Sequence, residues 1–296
     1  MKKLYTLLAL TISFSMNAQM SDNSANNNSA GSNAVAMGDS TIASGTAATA
    51  MGLYTIASGS SSTAMGAFTE ASISYSTAMG RNTTAIATSS TAMGRGTTAS
   101  GEESTAMGRS TTASGSRSTS MGGYTTASDF ASLVIGQYNS SGSSVTNSAT
   151  VFNTANTAFV IGNGTNSSNK SDAFKVMFNG DTTVSNDLTV SGDVVISSDA
   201  RLKSNIVSLG STLPKLLQID GKSYEMKGKQ KIGVLAQEIQ EVFPELVSED
   251  DNEMLAVNYQ GLVPVLINAL KEQDEKINRL EKLVEKMVSK QKNTIF

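Results

Sequence analysis

Ser198 and Lys203 stand with four residues between them in the block Ser198-Asp199-Ala200-Arg201-Leu202-Lys203. A serine hydroxyl is a weak nucleophile until a neighbour takes its proton. Histidine is the usual acceptor, and the chain has none. A lysine can replace it where burial disfavours the ammonium form. A serine with a lysine in reach is therefore the one residue pair here suited to nucleophilic chemistry. For an arbitrary Ser-x4-Lys the ordinary reading is a serine capping a turn or helix and a solvated lysine. The surrounding sequence has to decide between the two.

Other chemistries find little support. The absence of Cys and His removes disulfides and the commonest metal ligand. A row of methionines could in principle bind a soft metal, but no Cys or His accompanies it. Ser248-Glu249-Asp250-Asp251-Asn252-Glu253 is acidic, yet it lacks the Gly-turned geometry of a calcium loop. Glu70, Glu102 and Glu103 are scattered and read as surface charge rather than as paired catalytic carboxylates. No cofactor and no metal are expected.

Two compositions meet in the 296 residues. Before about Ser197 the chain is Ser, Thr, Ala, Gly and Asn with few charges. Residues 201–296 carry 14 of the 22 Lys+Arg, 14 of the 25 Asp+Glu and all three prolines. The start reads as a secretory signal over residues 1–18, with Lys2 and Lys3, an apolar run from Leu7 to Phe14, and a cleavage context at Met16-Asn17-Ala18 before Gln19. The run is too short for a membrane anchor. The location expected from this is secreted or cell-surface, without an integral anchor. Removing the signal takes the formal charge from −3 to −5, which argues against a nucleic-acid partner. Residues 19–29 read as a disordered linker.

Self-similarity dominates the chain from residue 30 to residue 136. Ala36-Met37-Gly38 recurs at Ala50, Ala64, Ala78, Ala92 and Ala106, then as Ser120-Met121-Gly122 and Val134-Ile135-Gly136, always 14 residues on. Ala43-Ser44-Gly45, Ala57-Ser58-Gly59, Ala99-Ser100-Gly101 and Ala113-Ser114-Gly115 keep the half-step phase. Fourteen residues suit two short strands and two turns, with Gly supplying positive φ or close approach. One repeat cannot bury its apolar face alone, so neighbours must stack. The Met37–Ile135 column then forms an apolar row, either a core or a seam between chains. Ile73, Ile86-Ala87 and Asp129 depart from the half-step pattern, and their turns are expected to differ.

This pattern resembles the head repeats of trimeric autotransporter adhesins. The resemblance covers roughly residues 30–136 and implies a left-handed parallel β-roll with three chains to a trimer. The membrane barrel of that family is not expected here, so self-anchoring in that manner is not expected either.

Residues 137–197 read as a β-rich neck. Ala158-Phe159-Val160-Ile161-Gly162 looks like one more repeat, out of step. Strands are expected at Ala173–Phe178, Leu188–Val190 and Val194–Ile196, with a hairpin signal at Asn179-Gly180. Asn163-Gly164-Thr165 fits a glycosylation acceptor, a match that chance explains better in this composition.

The charged module continues with Ile232-Gly233-Val234-Leu235-Ala236-Gln237-Glu238 and Phe243-Pro244-Glu245-Leu246-Val247. Ile232–Ala236 reads as a buried strand end, and Gln237–Phe243 as a short helix stopped before Pro244. These blocks, with the Ser-Asp-x-Arg-Leu-Lys opening, resemble the peptidase S74 family, the intramolecular chaperone of endosialidases and phage tail spikes. The resemblance covers residues 197 to about 275. It implies an α+β domain over 198–262 that trimerises, helps the upstream fibre fold and then removes itself. Ser198 is then the nucleophile, Lys203 the general base, and the cut falls between Ser197 and Ser198. Arg201 and Asn205 are both candidates to stabilise the oxyanion.

The last segment, 263–296, has heptad spacing. Val263, Leu270, Ile277 and Val284 fall on one seam position; Leu266, Gln273, Leu280 and Met287 fall on the other. The seam by itself does not fix the number of strands. The whole reads as a secreted homotrimeric fibre or adhesin, mainly β, with a self-cleaving chaperone that acts once in cis. A phage-derived tail fibre, or a fibre with an uncleaved cap, are the alternatives. A surface or glycan ligand is left unidentified.

Overall fold

The computed structural model describes residues 20–21, 27–250 and 253–294. The signal segment lies outside the described residues. Two compact units divide after Asp193.

The first unit is a β-solenoid of about seven turns. Each turn contributes a five-residue strand, from Val35–Asp39 to Leu133–Gln137, and a two-residue strand, from Ile42–Ala43 to Thr126–Ala127. All these neighbours pair in parallel, and equivalent residues face each other: Met37 with Met51, Met51 with Met65, and so on to Met107 with Met121. Backbone bonds tie coil to coil, as where Ile56 N–H donates to the Thr69 carbonyl at 2.8 Å.

What fills the coil is small. The alanines 36, 50, 64, 78, 92 and 106 and the alanines 43 to 127 form two fully buried columns; Thr41 to Thr125 and Ser62 to Ser132 form two more. An alanine methyl contributes on the order of 0.8 kcal/mol on burial, against about 1.5–3 for Val or Leu. The methionines alternate with the buried alanines, so their side chains stand on the outer face; Met51 is 36% exposed. The methionine row is therefore not the core of its own coil, and it is left for another surface to cover.

Glycine has two separate jobs. Gly38 and its equivalents sit at φ of about +93 to +124°, a region closed to side chains. At these positions, and also at Gly45, Gly59, Gly101 and Gly115 where φ is not positive, a Cβ would run into a carbonyl oxygen of the next coil. The corners themselves are left-handed at every seventh residue from Asn33 to Tyr138, and all but Gly96 are non-glycine. Tyr75 and Ser89 hold the corners beside Ile73 and Ala87 in the same conformation as elsewhere. These two turns keep the regular geometry, contrary to expectation, because the left-handed residue lies two positions further on.

Asp129 does differ. Its buried carboxylate accepts from Thr146 N (2.6 Å), Thr146 Oγ1 (2.7 Å) and Thr157 N (2.8 Å). It thereby pins the polar loop that interrupts the repeat. Beyond that loop Thr157–Asn163 adds one more parallel strand, with Val160 beside Val134 and Gly162 beside Gly136. The segment is out of step in sequence and in register in space. It then turns back on itself: Asp172–Met177 pairs antiparallel with it, and Thr182–Val184 with Asp172–Met177. Asn179-Gly180 does make a hairpin, but its second strand is Thr182–Val184. Leu188–Val190 and Val194–Ile196 are not strands, and their apolar side chains are exposed. Where a linker is expected, Met20–Ser21 pairs with Val35–Ala36, and Asn27 Oδ1 accepts from Thr41 N.

The second unit is a small α+β assembly. Lys222–Met226 and Lys229–Gly233 form a hairpin through Lys227-Gly228, both at positive φ, as a type I′ turn demands. The helix Ala236–Val242 comes next, ending ahead of Pro244. A second hairpin pairs Val247–Glu249 with Leu255–Val257. Ile239, Phe243 and Val265 form the core, flanked by Leu216, Ile219, Val234 and Leu246. Ile232 is 85% and Leu235 42% exposed; the strand turns Ile232 outward, and of the expected buried strand end only Val234 packs, half-buried, against the core. The helix Leu262–Thr294 contributes Val265 to this core and leaves its heptad seam uncovered, with Leu270 and Leu280 exposed. No helix among the described residues is long and apolar enough to cross a membrane.

Candidate functional site

The site begins at a single tight turn. Residues Ala200–Leu202 form one 3₁₀ turn, capped by Asp199, whose carboxylate accepts from Arg201 N at 2.8 Å. Ser and Asp favour such positions because their side chains satisfy the first unpaired N–H groups. The same carboxylate takes the Arg201 guanidinium through Nη2 to Oδ2 at 2.7 Å and Nε to Oδ1 at 3.0 Å. Arg201 holds the Asp199 carboxyl below the usual carboxylate range, and Asp199 raises the guanidinium in return. The pair is exposed, so its role is to shape the turn rather than to stabilise the fold.

The turn closes with Lys203 N donating to the Ala200 carbonyl at 3.1 Å. The chain has thereby reversed, and the lysine side chain comes back over the start of the turn. Lys203 Nζ donates to Ser198 Oγ at 2.7 Å. The two residues singled out by type and spacing are thus in direct contact. Ser197 precedes them in exposed, irregular backbone.

Three features bear on what this contact can do. In the contact Lys203 Nζ donates and Ser198 Oγ accepts, whereas a general base has to receive the hydroxyl proton. Ser198 and Lys203 are both exposed. Of the oxyanion candidates, Arg201 is committed to Asp199, while Asn205 at φ +52° lies outside the turn. The Asp199–Arg201 clamp was not anticipated; the Asp-x-Arg spacing beside a capping position is the signal that points to it.

A second support lies within the same unit. Glu272, on the long helix, accepts from Ser211 Oγ at 2.7 Å and from Thr212 N and Leu213 N, the start of the short helix Leu213–Leu216. Thr212 Oγ1 donates to the Val265 carbonyl at 2.9 Å. These bonds fix the segment after the Ser–Lys turn to the long helix.

Comparison with known families agrees with this layout. Residues 198–248 match the peptidase S74 family, described as the chaperone of endosialidase. Residues 29–55, 57–83, 85–111 and 99–125 match the YadA head domain repeat. The first match opens on Ser198. No curated protein matches the chain. The chain thus carries, in this order, repeats similar to adhesin heads and a segment similar to the endosialidase chaperone, a layout that supports a fibre-like protein.

Proposed function

We propose that the protein is a secreted homotrimeric fibre whose C-terminal module aligns three chains and then cuts itself away. The observation that carries this reading is the 2.7 Å contact between Lys203 Nζ and Ser198 Oγ at the first residue of the chaperone match. Ser198 Oγ attacks the Ser197 carbonyl carbon, and Lys203 takes the hydroxyl proton. The acyl group moves from the Ser198 nitrogen to its oxygen. Water then hydrolyses the ester and releases residues 198–296. Packing of neighbouring copies over the exposed turn supplies the desolvation that a neutral lysine needs. Cleavage is then tied to assembly.

Trimerisation has its own support. In one chain the heptad seam is exposed and the methionine row is only half-buried, and small-residue coils bury little alone. The 14-residue repeat makes a one-coil slip between chains locally cheap, so an external aligner is of use. The domain limits in this reading are a roll over 30–136, a neck over 137–197, the chaperone over 198–262 and the helix from 263.

The test is expression of the full chain, a denaturing gel and intact mass. Wild type is expected to give a fragment beginning at Ser198, and Ser198→Ala to stay whole while assembling to the same mass. A trimeric wild type that stays full length would refute the cleavage. The exposure of Ser198 and Lys203 favours a second reading for that outcome, a permanently attached trimerisation cap.

A further inference from the structure

We propose that Arg81, Arg95 and Arg109 form a binding site for an acidic polysaccharide. The three arginines end consecutive long strands and face each other in strict register. Parallel strands lie about 4.8 Å apart, so the row spans roughly 10 Å. Like charges opposed across neighbouring strands are unfavourable. Nothing at that position in the flanking coils offsets them: Ala67 precedes the row and Gly123 comes after it. No ion pair to any of the three is present among the described residues, whereas Arg117 binds Glu103 at 2.8 Å on a different corner. The roll thus keeps three adjacent cations that its own acids do not neutralise.

The surroundings suit a sugar chain. The residue after each arginine is Asn82, Gly96 or Ser110, which is short and leaves the guanidinium forks accessible. Arginine forks take carboxylate and sulfate oxygens in pairs. At one end of the row the Arg109 guanidinium lies 5.2 Å from the centre of the Tyr124 ring, and Tyr124 stacks on Tyr138 at 4.6 Å. A cation row running into a flat aromatic pair offers charge for the acidic groups and a face for a sugar ring. A nucleic acid fits less well, because its affinity comes mainly from neutralising a long run of phosphates, and a row of three cations neutralises few of them. Three unpaired arginines are also costly to bury in a seam between copies, so the row faces solvent in an assembled fibre. The inference rests on the reading of the repeat as an exposed fibre.

The experiment uses the full chain and four polymers at matched ionic strength: polygalacturonate, dextran sulfate, neutral dextran and oligo-thymidylate. Both acidic polysaccharides are expected to bind with an affinity that falls as salt rises, and neutral dextran is not. Replacing all three arginines by Gln is expected to lower affinity by roughly tenfold or more. It should also flatten the salt dependence by on the order of two counterions. Single Arg→Gln variants should give graded losses, which covers the case of a triple variant that fails to fold. Arg117→Gln should bind as wild type does. Light scattering on the same samples reports assembly, so a failure to trimerise is seen separately from a failure to bind. Wild-type affinity in the triple variant, equal binding of neutral dextran, or tighter binding of oligo-thymidylate than of polygalacturonate would each overturn the proposal.

Discussion

Three glycines within about two coils of each other make a sharp test of the solenoid. Gly94 has φ +117°, and a Cβ there would meet the carbonyl oxygen of Gly108. Gly96 has φ +67°, and its nearest neighbour would be Ser110 Oγ at 3.5 Å, an ordinary contact. A Cβ on Gly123 would have nothing within 4 Å. Gly94→Ala adds a forbidden backbone, about 1–3 kcal/mol, to an overpacked contact against rigid backbone, about 1–3 kcal/mol. The sum is about 2–6 kcal/mol, and a unit of this size loses roughly 2–4 °C per kcal/mol. A drop in melting temperature on the order of 10 °C is expected by circular dichroism. Gly96→Asn should be neutral or stabilising, because Asn82 occupies the same corner one coil earlier at φ +53°. Gly123→Ala should raise stability by about 0.4–1 kcal/mol by restricting the unfolded chain. Equal effects at Gly94 and Gly96, or none at Gly94, would refute the assignment of glycine roles and the coil register that depends on it.

Other expected outcomes rest on single side chains. Asp129→Asn places an amide against three donors and is expected to cost about 1–3 kcal/mol, with faster proteolysis in the loop after Tyr138. Thr83 Oγ1 is buried with no hydrogen-bond partner among the described residues, so Thr83→Val should stabilise the roll by about 1 kcal/mol in chemical denaturation. Glu272 is held below the ordinary glutamate value of about 4.3, first by the Ser211 hydroxyl and then by Thr212 N. Its contribution is therefore complete above that pH and is lost as pH falls through the lower folded value. Melting of the C-terminal unit should weaken below about pH 4 in wild type, and Glu272→Gln should remove that part of the pH dependence. Lys203→Met should leave the chain uncut, as Ser198→Ala does, on the same denaturing gel.

Much of this molecule is legible in its sequence because its order is a repeat. The fixed phase of Ala-Met-Gly gives strand register directly, and Met51 does face Met65. Which column turns inward is harder to read. Alanine and threonine hold the interior because a coil of 14 residues encloses too little space for methionine, and hydrophobicity alone ranks them the other way. The corners were obscured for a related reason. Glycine marks close approach, while the left-handed positions fall on Tyr54, Phe68 and Tyr124, where outward-pointing side chains tolerate the conformation. Val194–Ile196 has strand composition but pairs with no strand among the described residues. At the Ser198–Lys203 pair the spacing named the two residues and the resemblance gave them weight, while the cap at Asp199 that lets a single turn bring the ends of the six-residue block together was not read. Exposure of that pair was not legible, since it depends on what surrounds the turn.

The reversal at Thr157–Asn163 also decides how the roll ends. Every earlier strand edge is a template for the next coil, in this chain or in another copy. The antiparallel return of Asp172–Met177 closes that edge with a strand running the wrong way. A parallel coil cannot dock onto it in register. At that end the roll therefore finishes in a strand that offers no template for a further parallel coil.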